Sequence, residues 1–153
     1  IVYYTPIRKR GDFMLPEIKK TDENLTIHYD KKFPESTECD AYFCEYDGIP
    51  KVIKIFKNES AIENKINKIK LLKERLIDVK EIVTADAIVY EENPIGYIMP
   101  YIDGQNLYYT RSLDRINALE YYKELSKTLK KLHKLNIVAA DFGKNILYTP
   151  DKM

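Results

Sequence analysis

The side chains with the broadest chemistry are two cysteines and two histidines, Cys39, Cys44, His28 and His133. Thiolates and imidazoles bind zinc when several converge, but these four show no metal-ligand spacing. Cys39 and Cys44 are five residues apart, so an extended strand would point them to opposite faces. The N-terminus lacks the charged-then-apolar order of a secretion signal. We therefore predict reduced thiols in a cytoplasmic protein, and no metal bound by protein ligands alone.

The overall composition is that of a globular domain and does not indicate a highly charged binding partner. Among 153 residues, 44% are hydrophobic and 32% are charged, and 25 basic against 24 acidic residues leave a net charge of +1. With so small a net charge, the protein has no overall electrostatic field that would attract nucleic acid or an anionic membrane. Its apolar runs are too short to span a bilayer. The 13 tyrosines could stack on single-stranded nucleic acid, but without a basic stripe we interpret them as packing residues. We expect neither nucleic acid nor membrane as a partner.

Hydrophobic periodicity predicts an α+β chain. Residues 1–24 form an irregular extension. Strand-like runs of alternating or β-branched residues follow at 25–33, 38–46, 51–57, 82–90 and 95–102. Asp47-Gly48 is a hairpin signal between the second and third runs. The first helix begins near residue 60, where Ser60 would be the N-cap and Glu63 would complete a capping box. A second, longer helix carries one apolar stripe, made of Ile116, Leu119, Tyr122, Leu125, Leu129, Leu132 and Leu135.

Three stretches on these elements carry the chemistry. VIKIFK belongs to the third predicted strand and contains Lys54. YIMPYIDGQNL is an apolar strand broken by Asp103-Gly104. LHKLNIVAADFGKNILYTPD follows the long helix. Together they resemble the protein-kinase-like family, whose pattern contains a strand lysine, a hinge between two lobes, and leucine-histidine, isoleucine-valine, an aspartate and N-I-L in that order. Within that family the sequence resembles an atypical, bacterial-type serine/threonine kinase.

The resemblance implies a role for each matching residue. Lys54 would pair with the phosphates of ATP, and Glu63 would hold that lysine, although a purely local capping role remains open. Ala41 would lie over the adenine, Met99 would be the gatekeeper, and the main chain of Pro100 and Ile102 would bind the adenine edge. Asn106 would contact the ribose, Asp141 would accept the substrate hydroxyl proton, and Asn145 would bind Mg²⁺.

Four departures from the family pattern bear on activity. PESTEC stands where three glycines normally wrap the phosphates, and Ala139-Ala140 replaces the usual histidine and arginine. Asp141 and Asn145 are four residues apart where the family has five. Asp141-Phe142-Gly143 lies too early in the pattern to be the D-F-G motif. No later D-F-G follows. We therefore expect a truncated or partial domain that binds nucleotide poorly or does not turn it over.

The predicted organisation is an extension at 1–24, a kinase small lobe and hinge at 25–102, and an incomplete start of a large lobe at 103–153. The small lobe would contain a five-stranded antiparallel sheet and one main helix. The leading hypothesis is an ATP- and Mg²⁺-dependent phosphotransferase, a protein serine/threonine kinase with protein substrates. A small-molecule kinase of related fold, a pseudokinase acting as a binding module, and an unrelated α+β domain are the alternatives. The sequence does not indicate an oligomeric state.

Overall fold

The computed structural model describes residues 17–18, 27–34, 36–46, 48–58, 60–109, 115–139 and 145–149. Asp141 lies outside these residues. The chain divides into two compact units, with the boundary between Tyr101 and Ile102. The predicted domain limits at 24 and 102 stay predictions. No helix in the described part of the chain is long and apolar enough to cross a membrane.

The first unit is built on one antiparallel sheet. Its strands are β1 (Glu17–Ile18), β2 (Ile27–Lys32), β3 (Cys39–Tyr46), β4 (Ile49–Phe56), β5 (Ala87–Tyr90) and β6 (Pro94–Pro100), in the spatial order β1-β2-β3-β4-β6-β5. The five predicted strands are all present, and the α+β fold class is confirmed. The two-residue β1 is an additional edge strand within the predicted irregular extension. It pairs antiparallel with β2 through Glu17↔His28 and Ile18↔Ile27.

The β3–β4 hairpin is paired in register along its whole length, from Tyr46↔Ile49 at the turn to Cys39↔Phe56. Gly48 has φ 71°, the left-handed conformation that a tight turn requires and that glycine adopts without a steric penalty. The predicted hairpin is therefore confirmed. Both cysteines lie on β3, both are free, and their odd separation places them on opposite faces of the sheet.

One face of this sheet carries the core of the unit. Four fully buried residues pack together there, and Tyr42, Tyr46, Ile55 and Ile95 lie against them; the four are Cys44, Ile53, Val89 and Ile98. Burial raises the pKa of the Cys44 thiol to about 11, so the thiol stays protonated at neutral pH.

The helix α1 (Ile62–Arg75) does not start as the sequence predicted. Its N-cap is Ala61, which has φ 63° and makes no side-chain cap hydrogen bond. The Ser60 N–H instead donates to Asn58 Oδ1 at 2.9 Å. The predicted Ser60 capping box is therefore wrong, because Asn58, two residues before Ser60, accepts the N–H that Glu63 would bind in such a box. Glu63 lies in the first turn, where a negative charge interacts favourably with the helix N-terminus.

The second unit contains β7 (Gln105–Asn106), a 3₁₀ turn (Leu107–Tyr109), the helix α2 (Arg115–Lys134) and β8 (Leu147–Tyr148). β7 and β8 pair antiparallel. The helix α2 ends in a Schellman motif: Ile137 N–H donates to Leu132 O and Asn136 N–H to His133 O, each at 3.0 Å. Asn136 takes the left-handed φ of 55° that this motif requires.

The predicted apolar stripe of α2 is only partly covered within the described residues. Leu132 is 4% exposed and Thr128 beside it is 7% exposed. The N-terminal members of the stripe are open to solvent, with Ile116 73%, Leu119 54% and Tyr122 69% exposed. Periodicity identified the helix correctly, but it did not determine which turns would be packed.

Candidate nucleotide site

The strand register gathers three of the predicted site residues on one face of the sheet. Ala41 lies directly opposite Lys54 across β3 and β4, and Lys54 lies opposite Tyr97 across β4 and β6. Met99 is opposite Val52 in the neighbouring row. Register partners and residues two apart on a strand share a face, so Ala41, Lys54 and Met99 are on one side. This is the face opposite the Cys44 and Ile53 core.

The side chain of Lys54 is half-buried and lies against an aromatic ring. Its ammonium is 5.9 Å from the centroid of the Tyr97 ring. Burial, with smaller contributions from Cys39 and Glu38, raises the pKa of the Tyr97 phenol to about 12. The ring is therefore neutral at physiological pH and presents its electron-rich face to the cation. The sequence did not single out Tyr97, although its place two residues before Met99 on an alternating strand could have suggested it.

Glu63 is exposed in the first turn of α1. Within the described residues no ion pair joins it to Lys54, while ion pairs do join Lys32 and Lys57 to Asp40, and Lys51 to Asp86. The role of Glu63 as the partner of Lys54 stays a prediction.

The segment between β2 and β3, where the family resemblance would place a glycine-rich loop, is closed by its own hydrogen bonds. Ser36 Oγ donates to Cys39 O at 2.7 Å and accepts from the Cys39 N–H at 3.3 Å. At its ends, Phe33 N–H donates to Ala41 O at 2.8 Å and Lys57 N–H to Glu38 O at 3.1 Å. The serine hydroxyl thus stabilises this turn.

Gly96 is the second feature of this unit that the sequence did not single out. A Cβ at this position would lie 2.0 Å from Lys54 O and 3.1 Å from Ile55 Cα. Only glycine therefore lets β6 approach the backbone of Lys54 this closely. A glycine inside a strand is the available signal, since it often marks close approach of another backbone.

The predicted hinge residues follow β6. Pro100 is the last residue of that strand and lies opposite Lys51. Ile102 lies beyond it, outside any strand, and no backbone hydrogen bond to another described residue uses its main chain. The binding of an adenine edge by the main chain of Pro100 and Ile102 stays a prediction.

Asn106 and Asn145 lie close together in the second unit. Asn106 is paired with Leu147, two residues after Asn145, and the Leu107 N–H donates to Ile146 O at 2.9 Å. The Asn106 Oδ1 accepts a hydrogen bond from the Tyr108 N–H at 3.0 Å, so the amide already has a local role. Asn145 is exposed in the turn before β8.

Taken separately, the two units carry donor types that suit a nucleotide with magnesium. In the first unit Lys54 offers a cation for phosphate, and in the second unit the Asn145 amide oxygen is a ligand type that Mg²⁺ accepts. No group of three or more His, Cys, Asp or Glu side chains suited to a metal occurs among the described residues.

Comparison with known proteins agrees with this architecture. A solved structure titled "Structure of vaccinia related kinase 3" superimposes with a TM-score of 0.64 at 13% sequence identity. The match covers 93% of this chain and 49% of the other, so the chain spans about half the length of that structure. No protein-family model matches, and no curated protein matches. The chain has a protein-kinase-like fold, comprising a small lobe and the start of a large lobe.

Proposed function

We propose that this chain is the nucleotide-binding part of an ATP- and Mg²⁺-dependent phosphotransferase. The observation that carries the proposal is the row Ala41–Lys54, with Met99 in the adjacent row, on one face of a sheet with a kinase-like fold. A cation on a central strand, flanked by a small residue and an apolar one, suits a phosphate beside a flat base.

Within this proposal the residues have distinct tasks. Lys54 binds phosphate oxygens, Ala41 and Met99 enclose the adenine, and the main chain of Pro100 and Ile102 binds its edge. Asn106 contacts the ribose and Asn145 holds Mg²⁺. Magnesium, when bound, neutralises charge on the phosphates. Asp141 orients the acceptor hydroxyl and takes its proton.

The acceptor in the proposal is a serine or threonine of a protein, as in an atypical bacterial-type kinase. The two free thiols, one of them buried and protonated, suit a reducing compartment such as the cytoplasm.

The test of this function is Lys54→Met in the full-length protein, with Lys68→Met as the matched control. Lys68 is an exposed lysine of α1. Removing the strand cation should abolish both the thermal stabilisation by Mg-ATP and autophosphorylation, because phosphoryl transfer depends on charge neutralisation. Lys68→Met should retain both. Equal phosphorylation by wild type and Lys54→Met would refute the assignment.

A pseudokinase that acts as a binding module is the second candidate. The exposed Glu63 without an ion pair to Lys54, and the serine-closed loop in place of glycines, favour it. Titration of the full-length protein with Mg-ATP separates the two candidates. A thermal shift with phosphoryl transfer supports the enzyme, whereas a stable fold with neither supports the binding module.

A further inference from the structure

We propose that Phe56 and Tyr97 form an aromatic bridge that positions Lys54 and links it to the helix α1. The inference deepens the proposed function, because Lys54 is its phosphate-binding cation. Phe56 and Tyr97 are positioning residues: they act on the orientation of Lys54.

Four side chains form a continuous series of contacts. The Lys65 ammonium, from α1, is 5.2 Å from the Phe56 ring centroid. The Phe56 and Tyr97 rings are 5.9 Å apart with an interplanar angle of 47°. The Lys54 ammonium is 5.9 Å from the Tyr97 ring centroid. The two lysines therefore lie at opposite ends of one aromatic pair, and the bridge connects the helix to the strand.

The strands hold both rings in place. Phe56 is two residues from Lys54 on β4 and shares its face, while Tyr97 is the register partner of Lys54 on β6. Gly96 lets β6 lie against the Lys54 backbone, which brings the neighbouring Tyr97 ring close to the lysine side chain. The position of the bridge is thus determined by sheet register.

The environment favours the bridge over an ion pair with Glu63 as the means of orienting Lys54. Lys54, Lys65, Phe56 and Tyr97 are all half-buried, so their cation–π contacts are partly shielded from water. Glu63 is exposed, and an ion pair there would be screened by solvent and salt. The raised pKa of Tyr97 keeps its ring neutral throughout the physiological range.

A direct test uses NMR of the 153-residue chain labelled with ¹³C-lysine, with the Lys54 signals assigned by Lys54→Arg. A ring over the ammonium should displace the ε-methylene protons of Lys54 upfield. Tyr97→Leu should abolish that displacement and Tyr97→Phe should keep it, because only the latter retains a ring. Phe56→Leu should alter the Lys54 signals through the released Tyr97 ring.

The matched control is Tyr42→Leu. Tyr42 lies on the opposite face of the same sheet, with the Lys32 ammonium 5.9 Å from its ring centroid. Tyr42→Leu removes an equivalent cation–π contact on the other face of the sheet and leaves the neighbours of Lys54 unchanged, so the Lys54 signals should not change. Glu63→Gln should also leave them unchanged.

The functional measurement is the Kd for Mg-ATP of the full-length protein. Tyr97→Leu should raise the Kd about 2- to 30-fold, the range expected for loss of one cation–π contact, while Tyr97→Phe should stay near wild type. Unchanged Lys54 signals in Tyr97→Leu would overturn the proposal. So would an equal loss of affinity in Tyr97→Leu and Tyr42→Leu. If the wild type binds no Mg-ATP, the proposed function fails, and the NMR signals alone still decide whether the bridge exists.

Discussion

Asp40 illustrates how one side chain ties several strands together. Its Oδ1 lies 3.1 Å from the Lys32 ammonium at the end of β2 and 3.3 Å from that of Lys57 just after β4. Lys32 is the main cause of a lowered pKa of the Asp40 carboxyl; partial desolvation opposes the effect and Lys57 adds to it. The Asp40 carboxylate thus pairs with one lysine at the end of β2 and with another just after β4.

We expect Asp40→Asn to lower the free energy of unfolding at neutral pH. Because the folded-state pKa lies below the ordinary value of 3.8, the carboxylate contributes fully above that value. Its contribution is lost as pH falls through the folded pKa. The difference in stability between wild type and variant, measured by urea unfolding, should therefore shrink between about pH 5 and about pH 2.

Salt is the control for this prediction. The pairs are solvent-accessible, so high ionic strength at pH 7 should also reduce the difference between wild type and Asp40→Asn. A difference that is independent of both pH and salt would show that Asp40 acts through packing alone.

The start of the helix α1 is determined by a backbone conformation that the sequence pattern concealed. Ser60 and Glu63 have the spacing of a capping box, yet the Ser60 N–H bonds Asn58 and the chain enters the helix through a left-handed Ala61. A left-handed conformation strains any residue with a Cβ. The helix is therefore kept in place by packing of residues such as the buried Ile66, since its N-cap contributes little.

Ala61→Gly should raise the free energy of unfolding by up to about 1 kcal/mol, because glycine removes the left-handed strain at some cost in unfolded-state entropy. Ala61 is exposed, so little packing is lost. Thermal or urea unfolding measures the change.

Gly48→Ala is the matched reverse substitution in the same unit. Gly48 has φ 71°, and a Cβ there would meet no atom within 4 Å, so only backbone strain is added. It should destabilise the protein by about 1 kcal/mol. The same sign of change in both variants would contradict the explanation.

At the scale of the whole chain, the two units differ in how much apolar surface they bury. Nearly all of the buried apolar side chains described belong to the first unit, and Leu132 represents the second. The apolar stripe of α2 is covered at Leu132 but open at Leu119. The solved structure that this chain resembles is about twice as long as the part of it that the chain matches.

This difference predicts unequal effects of the same truncation. Leu132→Ala should cost about 2–5 kcal/mol of unfolding free energy in the 153-residue chain, because it empties a buried site. Leu119→Ala should change it by no more than about 0.5 kcal/mol, because Leu119 is already in water. Far-UV circular dichroism during urea unfolding measures both. Equal costs would mean that the two turns of α2 are packed alike.

The sequence by itself determined the order of the elements and the β3–β4 hairpin, and its resemblance to the kinase-like family pointed to Lys54, Met99 and Asn145 as candidates. Alternation, helical periodicity and Gly48 are local signals, and they depend only on nearby residues. The family resemblance extended this reasoning to residues far apart in the chain, but it could not show their contacts.

Only the tertiary structure placed Ala41 opposite Lys54 and put the Tyr97 ring beside the lysine. Such contacts depend on the register between strands that are distant in sequence, and a shift by one residue would turn every side chain to the other face. The exposure of Glu63 depends on how the helix packs on the sheet, whereas the left-handed entry through Ala61 accompanies the local hydrogen bond from the Ser60 N–H to Asn58. The sequence pattern therefore identified the lysine, and only the fold identified the side chains beside it.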